Sequence, residues 1–264
     1  MCESISEKCD RFIAHNQQMI EVAVSERNLQ NGAIHAKVLL CSIFDSLSKS
    51  AFANISNNSR RFKTTIDSYS NWEDRDRISL LHLVRAFDIY TNIPPEFEEL
   101  REWSISLFRT EFPVSRRILS ASPLINRDPH LLDIQNIWPR DNNDEFLSIG
   151  SIKPYQLQHK HMLWLYRNRL VHEYRSPGGG FNTMRLNESL PYYIEASTIQ
   201  GYTEEQGLIL SNHWELTYPV GFFLELCHHA LLGIAEMHRE ANTSPFAAYS
   251  DGSYWIPDFN ESGE

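Results

Sequence analysis

The sequence predicts a mainly α-helical fold, a bundle of helices that carries a small β-hairpin insertion. Three observations predict it. Apolar residues recur every three or four positions over most of the chain, which lays them along one face of a helix. Residues 181–218 switch to strand-like alternation. After Pro219, the run GFFLELCHHALLGIAEMHRE has the pattern of a long amphipathic helix.

Taken in order, residues 3–28 read as a first helix with Gly32 as its stop. Ile34, Val38, Leu39, Ile43, Phe44 and Leu47 mark a second helix, from Ala33 to about Ala53. Asp45 interrupts its apolar pattern. A buried carboxylate is costly unless paired, so Asp45 is expected beside a basic or hydrogen-bonding group. NISNNSRRFK reads as a polar loop, with Arg60, Arg61 and Lys63 as a small basic cluster. Leu80, Leu81, Leu83, Val84 and Phe87 define a helix within 72–90 that the prolines of TNIPP end. Pro95 opens the next helix, with Phe97, Leu100, Trp103, Leu107 and Phe108 along one stripe.

The prolines and the polar run RDNNDE make 113–150 a long irregular connection. Residues 151–175 return to helix, and SPGGG stops it. PYYIEAST and HWELTYP pair as an antiparallel hairpin around EEQG. The chain is thus expected to be one helical domain over 1–241, with insertions at 113–150 and 181–218. An irregular tail, 242–264, brings Phe246, Tyr249, Tyr254 and Trp255 to pack back on the body or on a partner.

Composition narrows the function classes. The chain is 42% hydrophobic and 22% charged, which is the balance of a folded domain and not of a disordered one. Its four cysteines are scattered, as expected of free thiols in a reducing cytoplasm. The uninterrupted apolar runs are too short for a membrane span, and the charged N-terminus is unlike a secretory signal. The formal net charge of -10 falls entirely in the last third, where 12 acidic residues face two basic ones. That distribution disfavours strong nonspecific binding to nucleic acid while leaving room for a local basic site.

The segment LYRNRLVHEYRS, 165–176, concentrates the polar chemistry. A helix there places Asn168 and His172 four apart on one face, with Arg169 three before the histidine. Arg167 and His172 are five apart, roughly 140° around the helix, so they converge through a long side chain or through a second copy of the helix. A neutral-range imidazole can take or give a proton. A guanidinium offers a fixed fork for phosphate oxygens. Equally, an Arg-Asn-Arg run near a helix end can complement the macrodipole and hold carboxylates, with His172 bonded to Glu173 or to the backbone.

R-N-R-L-V-H resembles the R-x4-6-H signature of the HEPN superfamily, with a polar Asn directly after the Arg. HAKVLLCSIFDSLSK resembles an early helix of that family with its embedded acidic residue, and YPVGFFLELCHHALLGI its terminal helix. The resemblance covers about residues 33–240. It implies a HEPN-like helical bundle and a metal-independent endoribonuclease without cofactor, acting as a homodimer whose two Arg–His sets line one composite cleft. A toxin or defence role, and an antitoxin or regulator as partner, follow from the same likeness. Arg167, Asn168 and His172 are then the catalytic set, with Asp45, Arg169 and Glu173 in support. The alternative is a noncatalytic module for RNA, a nucleotide or a partner protein. A metal site is disfavoured, because His159 and His161 are two apart on a helix and HEYRS lacks the second histidine of a zinc peptidase. GGG lacks the Lys-Ser/Thr of a phosphate loop.

Overall fold

The computed structural model describes residues 3–25, 27–90, 92–112, 123–175, 188–203 and 207–249. It is mainly helical, with one two-stranded antiparallel sheet. Helix α1 (Ile5–Ser25) starts at a reciprocal cap. Ser4 Oγ accepts from the Glu7 backbone N–H at 3.3 Å, while the Glu7 carboxylate accepts from the Ser4 N–H at 2.8 Å. Its buried residues Cys9, Phe12, Asn16, Ile20 and Ala23 keep the three-to-four spacing that turns one face inward.

Helix α2 (Gly32–Ala51) buries Ala36, Leu40, Phe44 and Leu47 on the same logic. Gly32 begins this helix instead of stopping the previous one. The positive φ of the turn, 62°, belongs to Asn31, a residue type that tolerates the left-handed region. The expected polar loop after α2 is mostly helix α3 (Asn58–Tyr69). Asn57 caps it by accepting from the Arg60 N–H at 2.9 Å, and Phe62, Thr65 and Ile66 form its buried side. The basic cluster therefore rides on a helix. Helices α1, α2, α3, α7 (His159–Glu173) and α8 (Val220–Glu240) pack on one another around the larger apolar core.

Among the described residues, α8 alone is long and apolar enough to cross a membrane, yet half of it is buried inside the protein. Phe222, Leu226, Ala230, Leu231 and Ile234 face α1, α2 and α3. At about 2 kcal/mol for each large side chain removed from water, that face is a substantial source of cohesion. Gly233 matters here, since a Cβ on it would stand 2.9 Å from the Tyr69 ring of α3.

Between α3 and α7 the chain makes an excursion through α4 (Leu80–Ile89), α5 (Glu98–Glu111) and the short α6 (Leu131–Gln135). These elements enclose a second apolar core of Ile78, Leu83, Phe87, Phe97, Leu100, Ile134, Trp138, Ile149 and Leu157. The part of the expected loose connection that is described, 123–150, is thus largely irregular in backbone but packed. Its prolines forbid long helices without preventing burial.

The hairpin joins β1 (Tyr192–Thr203) to β2 (Gly207–Thr217), in register from Tyr192 opposite Thr217 to Thr203 opposite Gly207, with one irregularity between Ile199 and Gly201. Its base docks on Phe112, whose ring lies 4.8 Å from Tyr193 and 5.4 Å from Trp214. Of the tail, Phe246 packs edge-on against Phe12 and Tyr249 donates to the Ser46 carbonyl at 2.8 Å. Tyr254, Trp255, the EEQ of the hairpin turn and the SPGGG stop lie outside the described residues.

Candidate functional site on α7

Helix α7 carries the Arg-Asn-Arg-Leu-Val-His segment in its last turns. Leu163, Tyr166 and Leu170 recur at three and four residues and are buried, so the core fixes which way the helix is turned. The helix ends at Tyr174, which adopts a left-handed φ of 53° and lays its ring 5.3 Å from that of His35 on α2.

With that rotation fixed, Arg167 falls at the border with α2 and meets Asp45 there. Its Nη2 donates to Asp45 Oδ2, and its Nη1 donates to Asn168 Oδ1 at 3.0 Å. The guanidinium also lies 5.2 Å from the centre of the Trp164 ring. The pair is mostly sheltered, with side-chain exposures of 16% for Arg167 and 27% for Asp45. Burial pushes the Asp45 carboxyl up, against the opposing pull of the Arg167 charge and, more weakly, that of Arg61. Asp45 therefore holds Arg167 in place at an electrostatic cost.

His172 is exposed and stands one helical turn beyond Asn168 on the same face. Arg167, Asn168 and His172 thus form a bent row, with the asparagine linking the guanidinium to the face that bears the imidazole. The other two expected residues stand apart from this row. Arg169 is exposed on the other flank of α7, where its charge reaches His82 of α4. Glu173 pairs with Arg175 at 2.6 Å, both at the surface.

Two polar groupings near α7 were not singled out by the sequence reading. Lys37, fully buried on α2, donates to Tyr166 Oη at 3.1 Å, immediately before Arg167 in the chain. At the other end of α7, the buried Asp128 carboxylate accepts from Tyr193 Oη, from His159 Nε2 at 2.7 Å and from the Leu80 N–H at 3.2 Å. Ser79 Oγ continues the chain to Tyr193 Oη at 2.9 Å and to His82 Nδ1 at 2.7 Å. This cluster ties the hairpin, the excursion and the first residue of α7 together. Its members are scattered over more than a hundred positions, so no local spacing announces it.

Among the described residues no group of His, Cys, Asp and Glu is arranged to hold a metal ion. Cys9, Cys41 and Cys227 are buried free thiols, and burial pushes each of them up and away from the thiolate. No family model, curated protein or solved structure matches the chain.

Proposed function

We propose that the chain is a metal-independent endoribonuclease of HEPN type, acting as a homodimer in the cytoplasm, with a toxin or defence effector as its biological role. The observation that carries this reading is the Asp45–Arg167–Asn168 contact beside a solvent-exposed His172 on the same end of one helix. Arg167 retains N–H groups beyond those given to Asp45 and Asn168, and these are suited to the non-bridging oxygens of a phosphate.

In the proposed reaction an imidazole removes the proton of the ribose 2′-hydroxyl, whose oxygen attacks the adjacent phosphorus. The guanidinium stabilises the charge that grows on the equatorial oxygens. The P–O5′ bond breaks, and the 5′-oxygen leaves with a proton from an imidazolium. The products are a 2′,3′-cyclic phosphate and a 5′-hydroxyl. The imidazole that took the 2′-hydroxyl proton can return it to the 5′-oxygen, and a guanidinium brought beside it by the partner subunit is the chemical reason for a composite site.

The test is cleavage of a single-stranded RNA in EDTA. The wild-type chain is expected to cut, and His172→Gln to lower kcat by at least a hundredfold without changing the unfolding midpoint. Cutting by His172→Gln at the wild-type rate removes the assignment.

One observation favours a second reading. The charge of Arg167 is already answered by Asp45, as in a helix-packing ion pair. On that view the α7 face binds RNA, a nucleotide or a protein without catalysis. Saturable RNA binding in EDTA, with no cleavage on prolonged incubation, selects it.

A further inference from the structure

The exposed face of α7 does not end at Asn168. At about 100° per residue, His161, Asn168 and His172 fall within roughly 40° of one another, with Leu165 close beside them. Leu165 is 44% exposed, an apolar step in the middle of this stripe. From His161 to His172 the stripe runs about 16 Å, a span that an extended single strand covers in a few nucleotides.

At its far end the stripe meets α3. Lys63 Nζ lies 3.4 Å from His161 Nδ1. An ammonium has only donors, so Lys63 donates to Nδ1, and the neutral ring carries its proton on Nε2. The surrounding carboxylates are engaged elsewhere. Asp67 is bound by Lys160 at 2.8 Å and approached by Arg75 at 3.5 Å, while Asp76 is bound by Lys160 at 2.7 Å and approached by Arg75 at 3.6 Å. Lys160 and Arg75 thus share two carboxylates, while Lys63 has no carboxylate within ion-pair distance among the described residues and lies beside a half-buried imidazole.

This arrangement is electrostatically uncomfortable without an anion. Burial and the Lys160 charge hold Lys63 below its ordinary range, against a weaker opposite pull from Asp67. Burial and the Lys63 charge hold His161 down as well. An anion set against both groups relieves both penalties.

We propose that Lys63 and His161 form a phosphate-binding subsite for the RNA strand, a few nucleotides from the phosphate cleaved at Arg167 and His172. Lys63, oriented by its donation to His161 Nδ1, holds a non-bridging oxygen of that remote phosphate with its remaining N–H groups, and the strand follows the exposed face of α7 past Leu165 and Asn168. The proposal rests on the ribonuclease reading for the identity of the strand. It adds that the strand spans the roughly 16 Å between the two points along one face of α7.

The experiment measures cleavage of an RNA decanucleotide and a dinucleotide in EDTA by the full chain and by Lys63→Gln, Lys63→Arg and His161→Gln. Lys63→Gln is expected to raise KM on the decanucleotide roughly tenfold, with kcat little changed and a smaller effect on the dinucleotide. Lys63→Arg retains the cation and restores most of the loss. The dependence of log KM on log salt becomes shallower by about 0.7 in Lys63→Gln, as for one lost single-strand phosphate contact. Unchanged KM and salt slope on the decanucleotide in both Gln variants overturn the subsite while leaving the nuclease in place. If the wild type cuts nothing, the nuclease reading fails by itself. Anisotropy with a 2′-O-methyl decanucleotide then decides the subsite. Weaker, less salt-dependent binding by Lys63→Gln upholds it, and equal binding removes it.

Discussion

Arg167 has two tasks that pull in different directions. To meet a phosphate it needs charge to spare, yet it lies against Asp45, whose burial makes ionisation costly without that guanidinium. Truncating the arginine strands the carboxylate, so Arg167→Ala is expected to lose about 1–3 kcal/mol of stability as well as activity. Adding Asp45→Asn removes the stranded charge and should recover most of the unfolding midpoint in urea while cleavage stays absent. If the double variant is no more stable than Arg167→Ala, the ion pair is not what the arginine contributes to the fold. Lys37 follows a related logic. Among the described residues no carboxylate is within ion-pair distance of it, and its ammonium rests on Tyr166 Oη alone among its hydrogen bonds. Lys37→Met keeps the stem and removes the buried charge, so its unfolding midpoint should be no lower than that of the wild type. A drop of more than 1 kcal/mol would show that the Lys37–Tyr166 contact stabilises α7.

At the scale of elements, α7 is held at its first turn by a buried polar network. His82 lies at the open end of the Ser79–Tyr193–Asp128–His159 chain, and burial, followed by the charges of Arg85, His159 and Arg169, lowers its pKa from 6.5 to about 3. Protonating His82 therefore favours the unfolded chain. Its contribution to stability is fully present above pH 6.5 and is lost as the pH falls toward 3. His161 and His238, both lowered by burial, act with the same sign, whereas Asp45, raised by burial, opposes them. Urea unfolding at pH 7 and pH 4.5 should show lower stability at the acid value, and His82→Gln should flatten that dependence. An unchanged slope in His82→Gln would mean that another group carries it.

Elements whose apolar spacing is strong, such as α2, α5, α8 and the hairpin, were legible in the sequence because burial and periodicity agree in them, whereas the helix expected over 151–175 is α-helical only from His159. Helix α3 was not, since Asn57–Arg61 is polar and only the Asn57 cap and the Phe62–Ile66 spacing mark it. The second core was hidden by prolines, which suppress periodicity without preventing Trp138 or Ile149 from being buried. At the site, the spacing of Asn168 and His172 and the need of Asp45 for a partner could be read directly. That the partner is Arg167 depends on how α2 and α7 pack, which no local pattern encodes.

At the scale of the whole molecule, the proposed chemistry asks more than one chain offers. Arg167 and His172 are about 140° apart on one helix, and Arg167 is turned toward α2 while His172 faces solvent. A net charge of -10 also repels a polyanion, so RNA must be held by a local concentration of cations. Two α7 helices facing each other across a cleft satisfy both demands, because each guanidinium then works beside the imidazole of the other chain. Subunit mixing tests this directly. Arg167→Ala and His172→Gln homodimers are each expected to be inactive, with Asp45→Asn added to the former to preserve its fold. Co-refolded in equal amounts, they form hybrids in about half of the dimers, and each hybrid holds one intact arginine opposite one intact histidine. Recovery of cleavage in the mixture, at a rate second order in protein when dilute, is the expected outcome. If the hybrid stays silent while a hybrid of wild type with the doubly substituted Arg167→Ala, His172→Gln chain cuts, the two groups act within one subunit and the shared cleft is wrong.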